Sequence, residues 1–98
     1  MERTLIKVLD ICKSHQIERQ FIRNLADSGL IQIIIEREEE FVDEEDLRPL
    51  ERFVTWHYEL EINIQGIEVA YSLINKIEKL QNEIELLKKN SNTITGMK

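Results

Sequence analysis

Apolar residues change period several times along the chain, and each period predicts an element. Leu5 to Val8 is a short, partly β-branched run that reads as a small strand leading into a helix near Leu9 to His15. Ile17, Phe21, Ile22 and Leu25 then fall at helical spacing, and Ser28-Gly29 stops that second helix because glycine takes a left-handed conformation at little cost. Two short helices with a tight connection follow from this spacing. Leu30 to Ile35 (LIQIII) is β-branched and suits a strand, and Phe41-Val42 returns as its partner after a charged tip, giving a small hairpin.

Asp43 is positioned to cap the next helix, with Asp46 three residues on in the capping-box position and acids in the first turn to suit the helix dipole. The lone Pro49 must lie near the helix start, which shifts that start toward Arg48. Leu47, Leu50, Phe53, Val54 and His57 give the helix an apolar face with Trp56 beside it, ending around Glu59. After a short connection, Leu60 to Ile64, Asn63 is a good N-cap for the last element. From Gln65 the chain runs without proline to Lys89, a helix of roughly 35 Å. Along it Leu73, Ile77, Leu80, Ile84 and Leu87 are spaced four, three, four, three, so the isoleucines take a positions and the leucines d positions of a heptad. Such a seam predicts a homodimer, with Ile at a and Leu at d favouring a parallel pair. Glu83 meets Lys88 in a parallel pair and Lys76 in an antiparallel one, so orientation stays open. The small and polar residues after Asn90 read as a tail. The expected organisation is a compact domain over residues 1–60, a long amphipathic helix over 61–90 and a tail over 91–98.

Charge narrows the functional classes. The 98 residues carry 19 acidic and 13 basic side chains, a formal net charge of −6. Between Glu36 and Asp46 stand eight carboxylates and the single cation Arg37. Nucleic-acid affinity is supplied largely by Lys and Arg against phosphates, so an acidic segment here opposes it, and an anionic membrane is disfavoured too. A basic protein partner is favoured. The single Cys12 excludes an internal disulfide and, lying with Val8 and Ile11, reads as a small core residue. No Cys/His spacing suggests zinc, and no cofactor is implied. The first residues lack an apolar run of signal-peptide length, and no run of 18 apolar residues occurs anywhere, which predicts a cytoplasmic protein. His15 and His57 have no nucleophile or carboxylate set at an interpretable spacing. His57 reads as a packed or hydrogen-bonded residue at a helix end, and the chain as a non-enzyme. Trp56 reads as core; Tyr58 is left as either core or an interface anchor.

The order strand, two short helices, wing, helix and long helix resembles the MerR-type winged helix-turn-helix, which makes the expected fold mainly α with a small β wing and a long C-terminal dimerisation helix. In the segment IRNLADSGLI, Arg23 and Gly29-Leu30 match that family's arginine and Gly-Leu pair. Its aromatic pair is replaced by Asn24 and Leu25, and its wing arginine falls near Glu40, a reversal of charge. A DNA-binding regulator of this type would use Arg19, Gln20, Arg23 and Asn24 on the second helix, and that is the alternative function.

A closer likeness lies in HYELEINIQGIEVAYSLINKIEKLQNEIELL, from His57 to Leu87. It resembles the CbpM-type chaperone modulators, a MerR-like branch in which a His-x-Glu-Leu turn leads through a Gly-Ile pair into a long amphipathic helix; here these are His57, Glu59, Leu60, Gly66 and Ile67. The likeness extends over about Ile6 to Leu87. It implies binding to the J-domain of a DnaJ-like co-chaperone and restraint of its action on Hsp70. The residues expected at that contact are Glu38, Glu39 and Glu40 of the acidic wing, together with His57, Tyr58, Glu59 and Leu60 of the turn.

Overall fold

The computed structural model describes residues 3–96, with side chains from residue 3 to residue 91. Its elements run β1 (Leu5–Lys7), α1 (Val8–His15), α2 (Arg19–Asp27), β2 (Ile33–Glu36), β3 (Glu39–Asp43), a 3-10 turn (Glu44–Asp46), α3 (Leu47–Val54), a π turn (Thr55–Glu59) and α4 (Ile64–Gly96). This is the mainly α architecture expected, with a small sheet. The expected hairpin gains a third strand: β3 is central, and β1 pairs with its free edge in the antiparallel order β1-β3-β2. Ile6 and Ile33 both lie opposite the fully buried Val42. A two-stranded hairpin is marginal in water, and the third strand removes the open edge of β3.

Helix ends follow from backbone hydrogen bonds. At the end of α2, Gly29 adopts φ 77°, the Leu30 N–H donates to the Leu25 carbonyl and the Gly29 N–H to that of Ala26. These two bonds satisfy orphan carbonyls in the Schellman arrangement. α1 ends in the same way with Gln16 at φ 54° and the Ile17 N–H on the Cys12 carbonyl. Because Leu30 is spent on this cap and the Gln32 N–H donates to Asp46 at 3.1 Å, β2 begins at Ile33 rather than at Leu30. Asp43 is an N-cap, but of the 3-10 turn, its carboxylate accepting from the Glu45 N–H at 2.9 Å. Asp46 faces Gln32 instead of completing a capping box. α3 therefore starts at Leu47 and places Pro49 in its first turn, where a missing N–H leaves no bond unmade.

The core joins the helices to one sheet face. Val8 and Ile11 of α1, Phe21, Ile22 and Leu25 of α2, Val42 of β3, Leu50 and Phe53 of α3, and Ile67 of α4 are all buried. The chain divides into two compact units, Met1–Glu68 and Val69–Lys98, so the start of α4 belongs with the first. In the second unit the backbone is helical through Gly96, across residues 91–96 that composition reads as tail; residues 97–98 lie outside the described residues.

The β2–β3 turn is unusual in its chemistry. Glu36 pairs with Glu39, leaving a two-residue loop in which Arg37 and Glu38 have φ values of 50° and 65°. Such turns favour Asn-Gly because a side chain at positive φ clashes with its own backbone. The double substitution Arg37→Asn with Glu38→Gly is expected to raise stability by about 1 kcal/mol, read as a higher denaturation midpoint with unchanged urea dependence.

Candidate interaction site

Helix α2 presents its polar edge to strand β3, and Glu40 closes the gap. Side chains alternate along a strand, so Glu40 shares a face with the buried Val42 and is directed toward the helical layer, whereas Glu39 lies on the opposite face. Arg19 and Arg23, one helical turn apart, converge on its carboxylate. The Arg19 Nε donates to Oε1 at 2.8 Å and the Arg23 Nη2 to Oε2 at 3.1 Å. The Glu40 side chain is only 15% exposed, against 56% and 49% for the arginines. The hydrogen bond from Arg19, reinforced by both positive charges, holds the Glu40 carboxyl below the usual carboxylate range. Beside them the Gln20 amide donates to Asn24 at 2.9 Å. All four residues of the DNA-binding alternative are thus engaged within the chain in two neighbouring interactions.

Of the three wing glutamates expected at a partner contact, Glu40 is therefore an internal brace. Glu38 stands exposed at the turn. Glu39 lies 3.3 Å from Lys7 in a pair whose members are both about half exposed, an arrangement that contributes little to stability. Asp43 accepts from Arg3 at 2.8 Å, while Glu44 and Glu45 are exposed.

The turn that carries the His-x-Glu-Leu motif is a structural unit. α3 widens into the π turn, the Leu60 N–H reaching the Thr55 carbonyl, and Glu61 reverses the chain at φ 56°. His57 stacks on Phe21 of α2, with centroids 4.6 Å apart and an interplanar angle of 18°, and its Nδ1 donates to the Ile62 carbonyl at 2.8 Å. Tyr58 sets its edge against Phe21, and its hydroxyl accepts the Glu18 N–H at 3.2 Å, just ahead of α2. Trp56 packs at 5.9 Å from Phe53 and is half-buried. Asn63 then caps α4 by accepting from the Gly66 N–H at 2.8 Å. A Cβ on Gly66 would come within 2.7 Å of the Ile62 side chain, which explains glycine before the buried Ile67. His57, read from the sequence as a packed or hydrogen-bonded residue and, through the family likeness, as a partner contact, ties the turn to α2; Tyr58 is a brace that remains 42% exposed, and Glu59 and Leu60 are exposed.

The role of Phe21 as the platform for this turn was hidden within an ordinary core pattern. The brace at Glu40 had a faint signal: two arginines four apart, and a glutamate two residues before the buried Val42. The other histidine, His15, lies 3.3 Å from Glu51 of α3. Burial raises the pKa of the Cys12 thiol, which keeps it protonated. Among the described residues no group of three His, Cys, Asp or Glu side chains is placed to hold a metal ion, and no helix is long and apolar enough to cross a membrane. In the second unit, Leu73, Ile77, Leu80, Ile84 and Leu87 are between 50% and 67% exposed.

A winged helix-turn-helix of this form, with a long helix after it, defines a class of regulatory protein. Residues 6–89 match the family described as MerR HTH family regulatory protein, and the chain belongs to that family. Within it, the chain is similar over nearly its whole length to proteins named chaperone modulatory protein CbpM. That of Pseudomonas entomophila (strain L48) is 28% identical over 101 residues, covering 99% of this chain and all of the relative. That of Pseudomonas putida (strain W619) is 28% identical over 102 residues with the same coverage. These full-length matches support the CbpM-type, MerR-like resemblance. No solved structure matches the chain significantly.

Two carboxylates here are lowered in the fold, Glu40 chiefly by Arg19 and Asp43 chiefly by the Glu45 N–H and then Arg3. Their stabilisation is complete above the unfolded values of about 4 and is lost as pH falls through the lowered folded values. Melts across pH should show stability declining in this acid range. Glu40→Gln should be less stable than the parent near neutrality, with the difference shrinking toward zero in acid.

Proposed function

We propose that this protein is a cytoplasmic, non-catalytic modulator that binds the J-domain of a DnaJ-like co-chaperone and restrains its action on Hsp70. The observation that carries this reading is the closure of Arg19 and Arg23 by Glu40, which leaves the α2 edge self-neutralised while Glu38, Glu44 and Glu45 face solvent. The named function of the two full-length relatives supports a chaperone-related partner. A J-domain offers a basic helix, and the acidic wing complements it. Complementary charge of this kind raises the association rate and sets orientation, while affinity needs an apolar contact. The exposed Leu60 and half-exposed Tyr58 are the apolar candidates, with Glu59 alongside. The DNA-binding alternative would require Arg19 and Arg23 to leave Glu40 and Gln20 to leave Asn24.

Calorimetric titration with the J-domains of the same organism tests this directly. Glu38→Lys combined with Glu39→Lys is expected to weaken binding by about tenfold at low salt, with less effect at high salt and only a small fall in melting midpoint from loss of the Glu39–Lys7 pair. Unchanged affinity would remove the wing from the interface, and no binding to any J-domain would overturn the function.

The same reading makes the protein a homodimer through the seam of α4, whose five exposed apolar residues otherwise face water. Sedimentation should show a dimer for the parent chain and a monomer for Leu80→Asp combined with Ile84→Asp. A monomeric parent at tens of micromolar would exclude it.

A further inference from the structure

The arrangement around Glu40 has the form of an occupied anion site. Two guanidinium groups four residues apart on one helix converge on the two oxygens of a single carboxylate, one on each. Guanidinium groups recognise phosphate with the same fork of donors that they use for carboxylate. The carboxylate comes from the opposing strand, and its strand phase, shared with the buried Val42, leaves it little freedom to swing away. Solvent approaches from both sides: Glu40 and Arg19 line one surface hollow together with Lys7, and Glu40 and Arg23 line a second beside β2. Glu40 is thus the shared wall between two open hollows, and the groups that it covers would be reachable in its absence.

We propose that Glu40 is an internal stand-in for a phosphate, its carboxylate filling an oxyanion site that Arg19 and Arg23 build on α2. In the native chain this competitor is covalently tethered and always present, so an external phosphate must displace it before either arginine is available. The ligand class excluded is a phosphate oxyanion, carried either by a nucleic-acid backbone or by a small phosphate. Lys7, in the same hollow, is paired with Glu39, so the charge that meets the oxyanion comes from the two arginines.

The test replaces the carboxylate with its neutral isostere. Glu40→Gln, and Glu40→Ala as a second variant, are compared with the parent after circular dichroism establishes that each is folded. Inorganic pyrophosphate and a short DNA duplex are titrated separately at low salt by NMR, following the backbone amide resonances of α2 and β3 in every variant and, where the arginines are present, the Arg19 and Arg23 side-chain Nε–H resonances. In a folded variant at least one ligand should shift both sets of resonances saturably, with an apparent Kd at least about tenfold below that of the parent. A gain with the duplex assigns the site to nucleic-acid backbone, and a gain with pyrophosphate alone assigns it to a small phosphate. Adding Arg19→Gln and Arg23→Gln to Glu40→Gln should abolish the gain. No gain in either folded variant, or a gain that survives loss of both arginines, overturns the proposal. Neither arm involves a J-domain, so loss of J-domain binding and loss of this anion gain are separate results.

Discussion

Helix α2 is amphipathic over only nine residues, and both of its sides are committed. Its apolar side sends Ile22 and Leu25 into the core without remainder and gives Phe21 to the His57 and Tyr58 rings. Its polar side gives Arg19 and Arg23 to Glu40. The polar join of the wing to α2 is thereby one carboxylate, and the turn before α4 is joined to it through the His57 stack and the Tyr58 edge on one ring, with the Tyr58 hydroxyl accepting from the Glu18 N–H. Neither join is strong by itself: exposed ion pairs contribute about 0–1 kcal/mol and an aromatic pair about 0.5–1.5 kcal/mol beyond its burial. Their consequence is geometric, since they set where the acidic tip and the motif turn stand relative to the helix between them.

That arrangement gives the family fold a different surface. In a nucleic-acid reader, the second helix and the wing would both direct positive charge outward. Here the wing contributes the carboxylate that neutralises the helix, and the remaining wing acids stay exposed. The carboxylate at position 40 therefore acts twice, by placing negative charge in the wing and by occupying two cations of the helix. Net charge alone would disfavour nucleic acid only as a bias. The ion-pair geometry supplies a local reason in the same direction.

Strain in the chain is concentrated where this surface is shaped. Gln16, Arg37, Glu38 and Glu61 all have positive φ without being glycine. Gln16 sets the entry to α2, Arg37 and Glu38 form the acidic tip, and Glu61 follows the π turn that carries His57 and Tyr58. Conformations of this kind persist only where surrounding contacts hold them. The holding contacts are visible: the Ile17 N–H on Cys12, the β2–β3 ladder, and the Ile62 N–H on Trp56.

Periodicity in the sequence by itself determined the existence of the helices, the stop of α2 and the start of α4, since apolar spacing, the Gly29 stop and the Asn63 cap are local properties of a few neighbouring residues; the bounds of α3 and the end of α4 differ from that reading. It also determined the seam from Leu73 to Leu87 and the acidic bias of the wing. Tertiary structure alone decided the rest. That β1 completes the sheet depends on a pairing across some 36 residues, Leu5 with Asp43 through Lys7 with Phe41, which no local window contains. That His57 is a brace depends on Phe21 arriving beneath it. And Glu40 reads in sequence as one acid in a solvated run; only strand phase and the approach of α2 select it, rather than Glu38 or Glu39, to meet the arginines, because charge is written along the chain but the partner of each charge is set by the fold.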